Sequence, residues 1–221
     1  MRLRPTLAMI VLLAGCAGTM RPPPSAPPGE QPTPTAAVAD TAIDAAAGGY
    51  TMDPRHTSVI WRVRHMNMSL FTARFDKAAG TIDLNPTAPA QSKLSATIQT
   101  GSVDTGLREG KDASFDGEIA KVLGVEKAPQ ITFVSKSITR TGDKTGTITG
   151  DLTMNGVTKS QTLDVTFENY AKSTLLSSKP RMAFSAHAIV KRSDWGVGST
   201  IFNLFTGDDV EIIIQTEFEK A

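Results

Sequence analysis

The chain is poor in the residues that most often carry chemistry. It has one cysteine and three histidines in 221 residues. One thiol cannot close an internal disulfide, and no Cys or His pair stands at metal-ligand spacing, so no disulfide framework and no metal site is expected. An excess of charge of one sign is missing too, since 23 Lys and Arg face 22 Asp and Glu. No basic stripe interleaved with aromatics appears, which speaks against nucleic acid as a partner. Beyond the N-terminus, no apolar run approaches the ~20 residues that cross a bilayer as a helix. No nucleophile elbow surrounds Ser193 and no base is placed beside it, so the inventory for an enzyme is bare and no cofactor is expected.

What is present begins with the position of that cysteine. Arg2 and Arg4 precede an apolar run, Leu7 to Leu13, too short to span a membrane, which reads as an export signal. Leu13-Ala14-Gly15-Cys16 resembles a bacterial lipobox. That resemblance implies removal of residues 1–15 and acylation of Cys16; the alternative is an ordinary signal peptide with an incidental cysteine. At about 0.8 kcal/mol per buried methylene, one acyl chain holds weakly and two or more hold stably. A thioether also removes a thiol that an oxidising compartment would attack. The expectation is a periplasm-facing lipoprotein of the bacterial cell envelope, with Ala17 rather than Asp after the cysteine favouring the outer membrane.

Residues 16–49 follow as a Pro- and Ala-rich segment, with Pro22, Pro23, Pro24, Pro27, Pro28, Pro32 and Pro34 and almost no large apolar side chain. No core can form there, so a disordered tether is expected. At about 3.1 Å per residue where it is polyproline-like, it reaches at most on the order of 100 Å. Without Arg2 and Arg4 the chain carries a formal charge of −1.

Residues 50–221 are long enough for one domain, and their period is mostly two. Val59, Trp61, Val63 and His65 alternate with Ile60, Arg62 and Arg64; Leu94, Ala96 and Ile98 do the same, as do Leu163, Val165 and Phe167. The beat recurs through Met182, Phe184, Ala186, Ala188 and Val190 and through Val210, Ile212, Ile214, Thr216 and Phe218. Turn signals stand at Lys77 to Gly80, Thr141 to Lys144 and Asn155-Gly156. Short strands joined by tight turns predict an all-β antiparallel barrel or sandwich. One stretch breaks the beat: Phe115, Ile119 and Leu123, spaced by four, predict a single short helix with Ser114 as N-cap and Gly124 as its stop.

Six blocks then resemble one family in order. They are the opening Tyr50 to Val59, the strand ending in His65 with Phe75 after it, Ser102 to Thr105, Pro129 to Phe133, Gly150 to Thr158, and Arg192-Ser193-Asp194-Trp195-Gly196. The chain is identified as resembling YceI-like domains over this body. The resemblance implies a lipocalin-like extended β-barrel that binds a long apolar molecule, such as a polyisoprenoid, an isoprenoid quinone or another lipid. The stretch from Leu107 to Ala128 departs from the family, with Arg108-Glu109-Gly110 and a helical segment where members carry a histidine-containing element; that connection often closes one end of such a barrel.

A barrel of about eight strands is either filled by side chains or left open for one ligand. Trp61, Val63, His65, Phe75, Ile98, Phe133, Phe184 and Ile212 are the candidate pocket lining. His65 shares a face with Trp61 and Val63, where it either meets a polar head or bonds a backbone carbonyl. His56 reads as a turn residue and His187 as outward-facing. Arg108, Arg192, Asp194 and Trp195 are candidates for rim or head-group contacts, with Arg192 to Gly196 also readable as a structural clasp. Two alternatives to a lipid carrier stand beside it: a filled barrel acting as an envelope interaction module, and an enzyme on isoprenoid substrates.

Overall fold

The computed structural model describes residues 43–107, 115–175, 177–198 and 200–221. The signal, Cys16, most of the tether, Arg108 and Ser114 lie outside them. Ten strands form one antiparallel sheet: β1 (Gly48–His65), β2 (Ser69–Phe75), β3 (Ala78–Leu84), β4 (Lys93–Gln99), β5 (Val103–Asp104), β6 (Gln130–Arg140), β7 (Thr145–Met154), β8 (Val157–Ala171), β9 (Arg181–Lys191) and β10 (Thr206–Lys220). β10 pairs back onto β1, from Tyr50 opposite Lys220 to His65 opposite Thr206, so the sheet closes and has no free edge along that seam.

β2 and β3 lie end to end along one side of β1, and β5 and β4 lie end to end along them. The ring is therefore an eight-stranded closed barrel. This corrects the turn expected at Lys77 to Gly80. The chain does not reverse there, because Phe75 faces Val59 and Thr81 faces Thr51 on the same strand β1. The break matches a bulge in β1, where Pro54 to Thr57 are extruded between Asp53, opposite Glu217, and Ser58, opposite Gln215. Asp53 stabilises the bulge by accepting from the Arg55 N–H at 2.9 Å and, through its carbonyl, from Thr57 Oγ1 at 2.8 Å.

The other two turn signals mark hairpins. Asn155 and Gly156 have φ of 51° and 72°, the two positive angles a two-residue turn with matching twist requires. Residues 141–144 join β6 to β7, with the Thr141 N–H donating to Thr145 O at 2.9 Å.

Alternation sends one face of every long strand inward, where two apolar clusters form. One gathers Val59, Trp61, Val63, Phe75, Ile131 and Trp195 with helix α1 (Phe115–Val122), which buries Ile119 and Ala120. The other gathers Tyr50, Met52, Ile82, Leu84, Met182 and Phe218 at the opposite end. Ile43 and Ala45 pack on this second cluster, and the Tyr50 hydroxyl donates to Ala46 O at 2.7 Å, so the packed chain starts ahead of Tyr50. α1 stops at Gly124, φ +82°, with the Gly124 N–H on Lys121 O and the Val125 N–H on Ala120 O.

A second helix, α2 (Thr200–Phe205), corrects the expectation of one. Six residues are fewer than two turns, too few for a 3.6-residue period to stand out from the surrounding strands. No helix among the described residues is long and apolar enough to cross a membrane.

Candidate ligand cavity

Between the two clusters the barrel is open. A cavity of about 800 Å³ runs through the interior, within the size range of small-molecule sites. All eight candidate lining residues, Trp61, Val63, His65, Phe75, Ile98, Phe133, Phe184 and Ile212, lie on its wall. Among the wall residues that sequence reasoning missed are Phe71, Phe115, Ile119, Ile148, Leu163 and Val165. The signal for Leu163 and Val165 was the same alternation used elsewhere, and that for Phe115 and Ile119 was the spacing of four on α1. Phe71 bridges Trp61, at 5.7 Å between ring centroids, and Phe115, at 6.0 Å. Phe184 joins Phe167 and Phe218 in the same way at the other end.

Polar wall residues collect at the two ends. His65 and Arg192 stand at the α1 end; Ser92, Lys93, Arg140, Asp143 and Lys144 stand at the end of the β6–β7 hairpin. His65 is exposed at the close of β1 while lining the cavity, so it faces the opening rather than the dry interior. Trp61 is 8% exposed, and its indole N–H is a buried donor with no partner among the described residues. A group left in this way costs about 1–3 kcal/mol.

Arg192 is fully engaged by the protein. It is 8% exposed, and its guanidinium donates to Gly207 O (2.7 Å), Val197 O (2.9 Å), Asn203 Oδ1 (2.7 Å) and Thr206 O (2.9 Å). One fork thereby fastens the end of β9 to α2 and the start of β10. Ser193 donates from both its backbone N–H and its hydroxyl to Asp208, at 2.9 and 2.8 Å. Burial works against the Asp208 charge, but these two donors and the nearby Arg192 outweigh it and hold the carboxyl below its usual range.

Asp194 and Trp195 do not line the cavity. Asp194 points outward to Lys159 at 3.2 Å. Trp195 is buried in the first cluster, and its indole donates to Leu152 O at 3.1 Å. The short 3₁₀ turn Arg192–Trp195 ends at Gly196, φ +64°, and Asn155 Nδ2 donates to the Trp195 carbonyl at 3.0 Å. The stretch thus ties the β7–β8 turn to the rim. Arg108, the fourth rim candidate, lies outside the described residues.

A second polar cluster sits at the β1 bulge, on the outer wall. His56 Nδ1 is 2.8 Å from Asp53 Oδ2, and Arg181 donates to Asp53 at 2.8 Å, to Glu217 at 3.3 Å and to Glu219 at 2.6 Å. The bond to His56 holds the Asp53 carboxyl far below its usual range, aided by the Arg55 N–H and Arg181 against the opposing effect of burial. Asp53, His56 and Glu217 bring donor atoms within 4.8 Å of one another, a grouping invisible in the sequence because β10 supplies one member. The guanidinium of Arg181 already supplies the cation there, and a second one would meet its repulsion. His187 lies outward, 3.1 Å from Glu211. Tyr50, beside Tyr170, is pushed up to about 12 by burial first and then by that neighbour.

The model of the YceI-like domain matches residues 50–218. The chain belongs to the YceI-like family. Protein YceI of Salmonella newport is 32% identical over 179 residues, covering 80% of this chain and 90% of its own. Among solved structures, BcnA of Burkholderia cenocepacia superposes with a TM-score of 0.65 at 24% identity, over 75% of this chain and 98% of that one. A polyisoprenoid-binding domain from Saccharophagus degradans superposes with a TM-score of 0.58 at 16% identity, over 80% of this chain and all of that one. At these identities the two structures show a shared fold. The YceI-like barrel of this chain is thus lipocalin-like, as the order of its blocks implied.

Proposed function

We propose that this protein binds a long apolar molecule inside its barrel and sequesters or carries it at a bacterial membrane. The ligand classes that fit are a polyisoprenoid, an isoprenoid quinone or a fatty lipid. The observation that carries the reading is the cavity: about 800 Å³ left open between two packed clusters, with an apolar wall and polar residues at its ends. A barrel of this strand number can fill its interior with its own side chains, so an open one favours a carrier over an interaction module. A ligand burying ~400 Å² gains roughly 10 kcal/mol before the cost of immobilising it, without a specific polar contact. The polyisoprenoid-binding domain from Saccharophagus degradans, which shares the fold, supports the ligand class.

The place of action rests on the N-terminal residues. Arg2, Arg4, the Leu7 to Leu13 run and the Leu13 to Cys16 lipobox support export, acylation at Cys16 and a periplasm-facing position, with Ala17 favouring the outer membrane. Residues 17–42 then serve as the tether between anchor and barrel. The barrel is read as a binder rather than an enzyme, since its wall is overwhelmingly apolar and the sequence carries no nucleophile elbow or recognisable catalytic motif.

Native mass spectrometry of the purified protein, followed by solvent extraction and mass analysis of what it releases, tests the ligand. A co-purifying apolar mass that rebinds after delipidation is the expected result. A protein that is persistently empty and takes up neither isoprenoid nor fatty ligands returns the reading to the interaction module.

A further inference from the structure

The two ends of the barrel differ in character. Six of the nine large apolar residues exposed among the described residues lie at the α1 end: Met66, Met68, Leu70, Leu107, Leu204 and Phe205. Met68 is 80% exposed and Leu204 74%. They come from the β1–β2 turn and the start of β2, from the third residue after β5 and from α2, and the Met66 N–H donates to Phe205 O at 2.6 Å, joining turn and helix into one lip. Leu107 and Phe205 also line the cavity, so the exposed patch is continuous with its interior. Single exposed apolar residues are ordinary, but a contiguous set around an opening marks an interaction site.

Ion pairs occur at both ends, with Lys191–Asp209 and Lys159–Asp194 behind the α1-end lip, but the turn and helix that form the apolar projections carry no acid themselves. The lip segments 64–72 and 197–207 contain no Asp or Glu; their polar cationic groups are Arg64 and His65. The opposite end is laced with ion pairs, among them Arg181 with Asp53 and Glu219, Lys179 with Glu219, and Lys172 with Asp44. That end also receives the chain at Ile43.

We propose that the α1-end lip docks on a lipid bilayer, with Met66, Met68 and Leu204 entering the interfacial layer and Arg64 facing lipid phosphates. A turn tip and a six-residue helix present small apolar projections around a mouth, not a flat face, and they lack the acidic residues that a phosphate surface would repel. An apolar molecule crossing this lip leaves the bilayer for the cavity without entering bulk water. Docking goes beyond ligand binding and is measured without it.

The test uses delipidated protein carrying Cys16→Ser and shown by intact mass to lack residues 1–15, so that neither an acyl group nor the apolar signal can hold it to lipid. Single cysteines are introduced at Met68 or, as a control of full exposure at the charged end, at Leu175, and are labelled with an environment-sensitive fluorophore. Vesicles of phosphatidylethanolamine and phosphatidylglycerol should carry the protein in flotation and blue-shift the label at position 68 alone. Met68→Asp with Leu204→Asp should weaken vesicle partitioning roughly tenfold or more with an unchanged melt, as both side chains are exposed. Absence of flotation, or equal shifts at 68 and 175, overturns the proposal. A shift at 68 that needs no vesicles and grows with protein concentration overturns it in favour of a second copy of the chain. Because flotation is read on protein already stripped of lipid, a failed ligand assay leaves this result standing, and the reverse holds too.

Discussion

Arg192 and Gly198 share one space. A Cβ on Gly198 would fall against Arg192 Nη1 and within 3.0 Å of Asn203 Oδ1, and Gly198 holds φ +113°, a conformation L side chains rarely adopt. Gly198→Ala should therefore push the guanidinium off its acceptors and strain the backbone, at a cost of about 2–4 kcal/mol. Arg192→Met, which strands four acceptors, should cost about 3 kcal/mol, and Arg192→Lys should recover little because one ammonium cannot replace the fork. The double variant should lose less than the two losses added together, since part of each is the same lost contact. Thermal melts of the wild type, Gly198→Ala, Arg192→Met and their double variant measure this; strict additivity would mean the two residues act independently.

Acid should weaken the β1 bulge through Asp53. Its folded-state pKa lies below the unfolded one, chiefly through His56 and with help from Arg55 and Arg181. The stability it contributes is complete above the unfolded value, about 3.9, and is lost as the pH falls below that towards the folded value. Asp53→Asn should lower the melting temperature at pH 7 and flatten its decline below about pH 4. A variant whose melt keeps the full acid slope would place that slope on other carboxylates.

Trp61 separates a pocket from a core. Trp61→Arg puts a guanidinium on an apolar wall, where it loses several kcal/mol of solvation or blocks the cavity. Uptake of any isoprenoid or fatty ligand should be abolished while folding survives better. Trp61→Phe should fold with a loss of under about 2 kcal/mol, because it removes a donor that has no partner together with the ring area. A melt and a binding assay on the same samples decide it. Collapse of Trp61→Arg beside a stable Trp61→Leu that binds nothing would favour the interaction module.

Cys16→Ser should release the protein from the membrane fraction or stall it as an uncleaved precursor, as read by fractionation and intact mass. Wild-type protein found soluble and unacylated would end the anchor reading, and leave the cavity reading untouched.

Much of the barrel is legible in the chain because a half-buried strand writes its inner face at every second residue. Val59, Trp61 and Val63, or Phe184 and Ala186, need no partner to declare which way they point, and the cavity wall follows from that local rule. Asn155-Gly156 is legible for a similar reason, since few residue pairs accept two positive φ angles. The chain's own order of motifs also marks its family, and its first residues raise the question of an anchor.

Other features depend on what comes together from far apart. β2 and β3 form one stave, not a hairpin, only because both find β1, and β1 in turn closes on β10. Arg192 is a clasp because its acceptors arrive from Val197, Asn203, Thr206 and Gly207; Trp195 is buried because β7 supplies Leu152 O; Asp53 meets Arg181 across the sheet. Whether the interior is full or empty is the least local property of all. It depends on the girth of the closed ring and on how far apart the clusters around Trp61 and Phe218 settle, and each inward residue, taken singly, looks the same on the wall of a cavity as in a solid core.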